Sequence, residues 1–114
     1  MYKIFIIFNN SSFKPIFIGE TKQDILEDYK KILTNASNNK KDKLSVWIRK
    51  TWLEGNEILF HELQDNLNNE ELKYYFKHWR DQFSDLLNEK SAKKTSDEGK
   101  KIIEGLKNRY HSLK

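Results

Sequence analysis

Residues 3–21 read KIFIIFNNSSFKPIFIGET and contain two short apolar runs separated by a polar turn. As a strand, the first run has apolar side chains on both faces, with Ile4, Ile6 and Phe8 on one face and Phe5 and Ile7 on the other. A strand with two apolar faces usually lies inside a sheet that other elements cover on both sides. The segment therefore predicts a β-hairpin against which the rest of the chain packs.

The residues around the second run indicate where it begins and ends. The turn before it is predicted by residue types that favour tight turns, Asn9-Asn10-Ser11-Ser12. Pro15 lies near the start of the run, where a strand tolerates proline, and Gly19 is expected to end it. Thr21 is then expected to cap a helix that has Asp24 in its first turn.

Farther along the chain, apolar residues recur with a period near 3.6 in several segments, as they do on one face of a helix. Together with the strand pattern, this spacing predicts strands at residues 2–9, 15–19 and 57–63 and helices near residues 22–34, 43–53 and 69–87. Gly55 is expected to end the second helix. The predicted fold class is α/β, of the α+β kind: a small three-stranded antiparallel sheet flanked by helices in the order β-β-α-α-β-α, with an additional C-terminal helix.

The additional helix is predicted from Ser96, a favourable cap, and from an apolar stripe formed by Ile102, Ile103, Leu106, Tyr110 and Leu113. Because an exposed apolar stripe is unstable, we expect it to pack on the core or on another copy of the chain. A chain of 114 residues has room for one core. We predict that residues 1–88 form the sheet-containing domain and that residues 89–114 form a charged linker and a basic helix packed on it or on a partner.

The composition excludes several kinds of site. The sequence contains no cysteine, which rules out disulfides, zinc–thiolate sites and thiol nucleophiles. No apolar run is long enough to span a bilayer, and the first residues lack the basic flank and the cleavage site of a signal peptide. We therefore expect a cytoplasmic protein with no membrane partner, either a monomer or a homodimer.

The net charge of +4 is unevenly distributed along the chain. Residues 1–88 carry 13 lysine or arginine residues and 13 acidic residues, whereas residues 89–114 carry eight and four. Candidate contacts with nucleic-acid phosphates are therefore basic residues of the C-terminal segment and of a smaller cluster before it, namely Lys93, Lys94, Lys100, Lys101, Lys107 and Arg109, and Lys40, Lys41, Lys43, Arg49 and Lys50. The alternative is that these residues only form the solvated faces of helices.

Four segments of the chain resemble the GIY-YIG nuclease domain: KIFIIF, KPIFIGET, KLSVWIRKTWLEGNEILFHEL and EELKYYFKHW. Lys3-Ile4-Phe5 corresponds to the first triplet that gives the family its name, and Phe17-Ile18-Gly19 corresponds to the second. The resemblance covers residues 1–83. It implies two strands, a helix that carries an arginine, a helix of the W-I-R-K kind, a third strand and a helix that opens on a glutamate.

The resemblance also implies which residues would carry the chemistry. In the family, two tyrosine hydroxyls position and activate the nucleophile, an arginine stabilises charge on the phosphate, and a glutamate binds a divalent metal. In this sequence Phe5 and Phe17 stand at the tyrosine positions and Glu27 stands at the arginine position. Glu71, or Glu70 in an alternative register, stands at the glutamate position.

These substitutions predict a protein that has kept the scaffold and lost cleavage. A phenyl ring has no hydroxyl, and a glutamate repels the phosphate that an arginine attracts. We expect a binding protein without a cofactor, whose partner is nucleic acid or another protein. The alternative is a divergent endonuclease that uses other residues and binds Mg²⁺ or Mn²⁺ at Glu71, a residue whose position also suits a partner of the helix dipole.

Overall fold

The computed structural model describes residues 1–88 and 90–110, and in these residues the chain forms three strands and four helices. In chain order they are β1 (Tyr2–Asn9), β2 (Phe17–Thr21), α1 (Ile25–Ser37), α2 (Lys43–Leu53), β3 (Ile58–Leu67), α3 (Asn69–Arg80) and α4 (Asp97–Tyr110). The order β-β-α-α-β-α-α and the α+β fold class confirm the sequence prediction. No helix within the described residues is both long and apolar enough to cross a membrane.

The sheet is antiparallel, with strand order β2-β1-β3. β1 and β2 pair as the predicted hairpin, with Ile6 opposite Ile18 and Phe5 opposite Gly19. On its other side β1 pairs with β3, and the register shifts near Ile4, as in a β-bulge. β1 therefore occupies the centre of the sheet.

The two faces of the sheet carry separate cores. On one face, the alternate residues Ile4 and Ile6 pack in a cluster that includes Leu72 of α3 and Leu106 of α4. On the opposite face, Phe5 packs in a cluster with residues of α1 and α2. Complete burial of an isoleucine or phenylalanine side chain contributes about 1.5–3 kcal/mol to folding. Burial on both faces of β1 is what the two apolar faces of its sequence predict.

The start of α1 differs from the prediction. Thr21 is the last residue of β2 rather than a helix cap, and Asp24 is the N-cap, whose side chain accepts a hydrogen bond from the N–H of Leu26 at 3.1 Å. The Thr21 hydroxyl accepts instead from the N–H of Gln23 at 3.1 Å, inside the connecting turn. The second strand therefore ends two residues later than predicted. Gly19 lies inside β2, because its missing side chain leaves room for the ring of Phe5.

The end of α3 also differs from the prediction, which extended this helix to residue 87. α3 ends at Arg80, and the buried residues Phe83 and Leu86 belong to the irregular segment that follows. This segment turns back to the residue that precedes β2: the N–H of Leu87 donates to the carbonyl of Ile16 at 2.7 Å. These two loop residues pack on the same core and continue the helical spacing of the apolar residues. The spacing alone therefore did not reveal where the helix ends.

The remaining boundaries are closer to expectation. α2 spans the predicted residues, and Gly55 follows it with a φ of 79°. β3 is longer than predicted and reaches Leu67. Ser96 caps α4 as expected, because its hydroxyl accepts from the N–H of Gly99 at 3.0 Å. The apolar stripe of α4 packs on the core through Ile102, Ile103, Leu106 and Tyr110, while Leu113 lies outside the described residues.

Candidate functional site

Phe5 and Phe17, which the resemblance would place at the two tyrosine positions, line a shared cavity of about 520 Å³ between β2, α1 and α3. Both rings lie close to Gly19: an added Cβ atom there would be 2.5 Å from Cζ of Phe5 and 3.1 Å from Cε2 of Phe17. Phe5 is buried and Phe17 is half-buried. The two positions therefore lie together, and phenyl rings provide packing there but no oxygen that could take part in proton transfer.

α1 contributes Asp28, Lys31 and Ile32 to the lining of the same cavity. Glu27 is exposed and is not among the lining residues. The Asp28 carboxylate accepts a hydrogen bond from the side chain of Gln23. Lys31 lies one helical turn after Glu27, so it brings a positive charge to the cavity where the resemblance implied an arginine. Lys31 is not among the residues predicted from the sequence, although its spacing from Glu27 was a usable signal.

Glu71 has a structural partner. Its Oε1 accepts from the N–H of Asn68 at 3.1 Å, and Oδ1 of Asn68 accepts from the N–H of Glu71 at 2.9 Å. These two bonds form the capping box that begins α3, and Glu70 also lies in its first turn. One carboxylate oxygen of Glu71 is therefore engaged in the helix cap. Within the described residues, no group of three or more histidines or carboxylates could hold a metal ion.

A second cavity, of about 700 Å³, is lined by lysines from three parts of the chain. We call it the lysine groove and define it by Lys14, Lys93, Lys94, Lys100 and Lys107, all of which are exposed. Glu104 is the acidic residue among those that line the groove, and it pairs with Nζ of Lys107 at 3.8 Å. Lysine side chains are cationic at neutral pH, so the groove combines several positive charges with one carboxylate that is already paired.

Hydrogen bonds hold the segment that carries Lys93 and Lys94 against the irregular segment that follows α3. The N–H of Ala92 donates to the carbonyl of Phe83 at 3.0 Å, and the Thr95 hydroxyl accepts from the N–H of Ser84 at 3.1 Å. At Gly99 a Cβ atom would be 2.3 Å from the carbonyl oxygen of Gln82, so α4 approaches this backbone as closely as only glycine permits. The segment predicted as a charged linker is therefore hydrogen-bonded to the domain on both sides of its two lysines.

Lys101 and Arg109 lie elsewhere on α4. They line a cavity of about 490 Å³ together with His61 of β3. Nδ1 of His61 lies 3.1 Å from the Tyr110 hydroxyl. Burial, with a smaller effect of the nearby Arg109 guanidinium, lowers the pKa of His61 below its usual value, which favours the neutral imidazole. This cavity is less cationic than the lysine groove because, among the described residues, its lysine and arginine lining residues are only Lys101 and Arg109.

The residues of the smaller basic cluster, at positions 40–50, differ in their surroundings. Arg49 is half-buried, and its Nη1 donates to the carbonyl of Ala36 at 3.0 Å, so it binds α2 to the end of α1. Other members of the cluster are exposed near the α1–α2 connection and on α2, namely Lys40, Lys41, Lys43 and Lys50. They line none of the cavities described above.

The lysine groove thus includes Lys93, Lys94, Lys100 and Lys107 from the predicted contacts and adds Lys14, which sequence reasoning missed. Lys14 lies in the turn of the hairpin, and nothing in the sequence connects this turn with residues near position 100. No family model matches the chain, and neither a curated protein nor a solved structure matches it.

Proposed function

We propose that this chain is a non-catalytic nucleic-acid-binding protein with a GIY-YIG-like scaffold, and that the lysine groove contacts the phosphates. The proposal rests on one observation. Lysines from the hairpin turn, from the segment before α4 and from α4 itself line the same cavity. The acidic residue among those that line it, Glu104, pairs with Lys107. An extended phosphate backbone is the ligand that best satisfies a row of exposed ammonium groups.

The side chains of the groove favour binding to the backbone over reading of bases. Its lining residues are lysines, Ser84, Thr95, Ile103 and Glu104, and none of them is aromatic or an arginine. Base stacking needs an aromatic or guanidinium plane, and bidentate recognition of guanine typically uses arginine. We therefore expect binding that depends little on base sequence and that weakens steeply with salt.

The absence of cleavage in this proposal rests on the side chains at the positions that the resemblance assigns to catalysis. Phe5 and Phe17 have no hydroxyl, Glu27 is exposed and negative, and Glu71 is engaged in a capping box. We expect no cleavage of labelled single-stranded or double-stranded DNA or RNA with Mg²⁺ or Mn²⁺. Cleavage that Glu71→Ala abolishes would establish the divergent endonuclease instead.

The binding half of the proposal is tested with two variants of equal charge. In the groove variant, glutamine replaces Lys93, Lys94, Lys100 and Lys107; in the control variant, glutamine replaces Lys40, Lys41, Lys43 and Lys50. Fluorescence anisotropy with two duplexes of unrelated sequence measures the affinity at one salt concentration. We expect the groove variant to bind both duplexes at least about tenfold more weakly, and the control variant to stay within about twofold of the wild type.

Two other results would contradict the binding half. Equal losses in the two variants would show that net charge, and not the groove, is responsible. If the wild-type protein binds neither duplex but retains protein partners from nuclease-treated lysate, the ligand is a protein and not nucleic acid. We further propose that the protein is cytoplasmic and that it is a monomer or a homodimer.

A further inference from the structure

The guanidinium of Arg80 lacks a partner for one of its donors. Arg80 is the last residue of α3 and is half-buried. Its Nε atom is buried and has no hydrogen-bond acceptor among the described residues, and the ion pairs within this part of the chain do not include it. A buried donor without an acceptor is unfavourable, and a charged donor more so. The atoms of Arg80 that line the neighbouring cavity, and not Nε, are therefore the ones that a ligand could contact.

Arg80 lines a cavity of about 680 Å³ between α3 and the start of β1. Lys73 and Lys77 precede it at helical spacing, so three cations follow one face of α3 into the cavity. The opposite side includes Tyr2, and Nζ of Lys22 lies 5.1 Å from the centroid of the Tyr2 ring. Glu20 is the acidic residue of the lining. The cavity is therefore cationic, and its volume is within the range of small-molecule sites.

The charges of the cavity fit a phosphate better than a carboxylate. Three cations and one carboxylate leave two positive charges in excess, and a phosphate monoester carries a charge of about −1.5 to −2 at neutral pH. Its oxygens can accept from the planar guanidinium and from two ammonium groups at once. A carboxylate would neutralise half of this excess.

Aromatic and apolar side chains lie beside the three cations. Tyr2 and Phe76 are half-buried and line the cavity with Leu72. Phe76 and Glu20 also line the cavity that holds Phe5 and Phe17, so the cationic and apolar cavities adjoin. Nucleobases pack on aromatic side chains of this kind. From this combination we infer that the cavity of Arg80 binds the phosphate of a nucleotide whose base packs against Tyr2 and Phe76.

The nucleotide can come from two sources, a free mononucleotide or the 5′-terminal nucleotide of a strand. Both offer a phosphate monoester beside a base. The site shares no lining residue with the lysine groove, and the inference does not depend on the function proposed for that groove.

Titration calorimetry with adenosine 5′-monophosphate, adenosine and inorganic phosphate tests the site. We compare the wild type with Arg80→Gln, with the pair Lys73→Gln and Lys77→Gln, and with a control pair of equal charge change at two exposed residues outside the cavity, Lys30→Gln and Lys90→Gln. We expect adenosine 5′-monophosphate to bind more tightly than either fragment. Arg80→Gln and the α3 lysine pair should each weaken it by about tenfold or more, and the control pair by less than about twofold.

Unfolding in urea shows whether the Arg80→Gln protein is folded. We expect its midpoint to be unchanged or higher, because the substitution removes a donor that has no partner in the folded chain. If that protein does not fold, the exposed lysine pair still decides the question. The inference is overturned if adenosine 5′-monophosphate does not bind, if it binds no better than inorganic phosphate, or if the two α3 variants bind it as the wild type does.

A pair of oligonucleotides, with and without a 5′-phosphate, distinguishes the two sources in the background of the groove variant. A preference for the phosphorylated strand that Arg80→Gln removes would identify the end of a strand as the ligand. Binding of adenosine 5′-monophosphate with no such preference would identify a free nucleotide. Failure of adenosine 5′-monophosphate to bind would overturn the site and leave the function proposed for the lysine groove unaffected.

Discussion

At the scale of single residues, the contact between Gly19 and Phe5 explains most about the candidate site. A strand interior ordinarily disfavours glycine, yet Gly19 lies inside β2, directly opposite Phe5 of β1. The ring of Phe5 occupies the space that a side chain at position 19 would need. The ring of Phe17 also lies beside this position, 3.1 Å from where a Cβ atom would be, so a side chain at position 19 would disturb both rings.

Gly19→Ala should therefore destabilise the fold by about 1–3 kcal/mol, because the added methyl group would overlap the ring of Phe5. Gly105→Ala is the matched control, since a Cβ atom there meets no atom within 4 Å and alanine favours a helix. Urea unfolding should show a lower midpoint for the first variant and an unchanged or higher midpoint for the second. Equal midpoints would mean that the rings move aside without cost.

At the scale of elements, the capping box gives Glu71 a structural role that does not require a metal. Glu71→Ala should cost about 0.5–1 kcal/mol by removing the acceptor for the N–H of Asn68. Glu71→Gln should cost much less, because glutamine retains an acceptor oxygen for the same bond. Thermal unfolding with and without Mg²⁺ separates the two roles. A stabilisation of the wild type by Mg²⁺ that is lost in both variants would assign Glu71 to a metal.

The contact between β3 and α4 should depend on pH. The pKa of His61 is lowered in the folded chain, first by burial and then by Arg109, so the unfolded chain binds a proton at higher pH than the folded chain does. Stability should therefore fall as the pH drops through the ordinary histidine value of 6.5. His61→Gln, which can keep a hydrogen bond to Tyr110, should show a smaller loss between about pH 8 and 5. An equal loss in both proteins would contradict this assignment.

The elements could be predicted from the sequence to different degrees. The two apolar faces of residues 3–8 predict a covered central strand, which β1 is. The end of α3 was not predictable from spacing, because Phe83 and Leu86 are buried by a loop and not by a further helical turn. Thr21 has the chemistry of a cap, but pairing with Lys3 keeps it in the sheet.

At the scale of the whole molecule, the candidate sites depend on contacts between distant segments. Lys93, Lys94, Lys100 and Lys107 are close in sequence, so charge counting could identify them together. Lys14 joins them only because the hairpin turn lies beside α4, and Arg80 meets Tyr2 only because α3 packs on the sheet. Charge composition predicts which segment is basic, whereas identifying the surface on which these charges lie together requires the tertiary structure.

The central claim, that the lysine groove binds phosphates, is tested most directly by the salt dependence of duplex binding. Each phosphate neutralised by a lysine contributes about −0.9 to the slope of log affinity against log salt. We predict that the groove variant has a slope shallower than the wild type by about 2 to 4, and that the control variant keeps the wild-type slope within about 0.5. A groove variant with the wild-type slope, or a control variant that loses as much, would contradict the account.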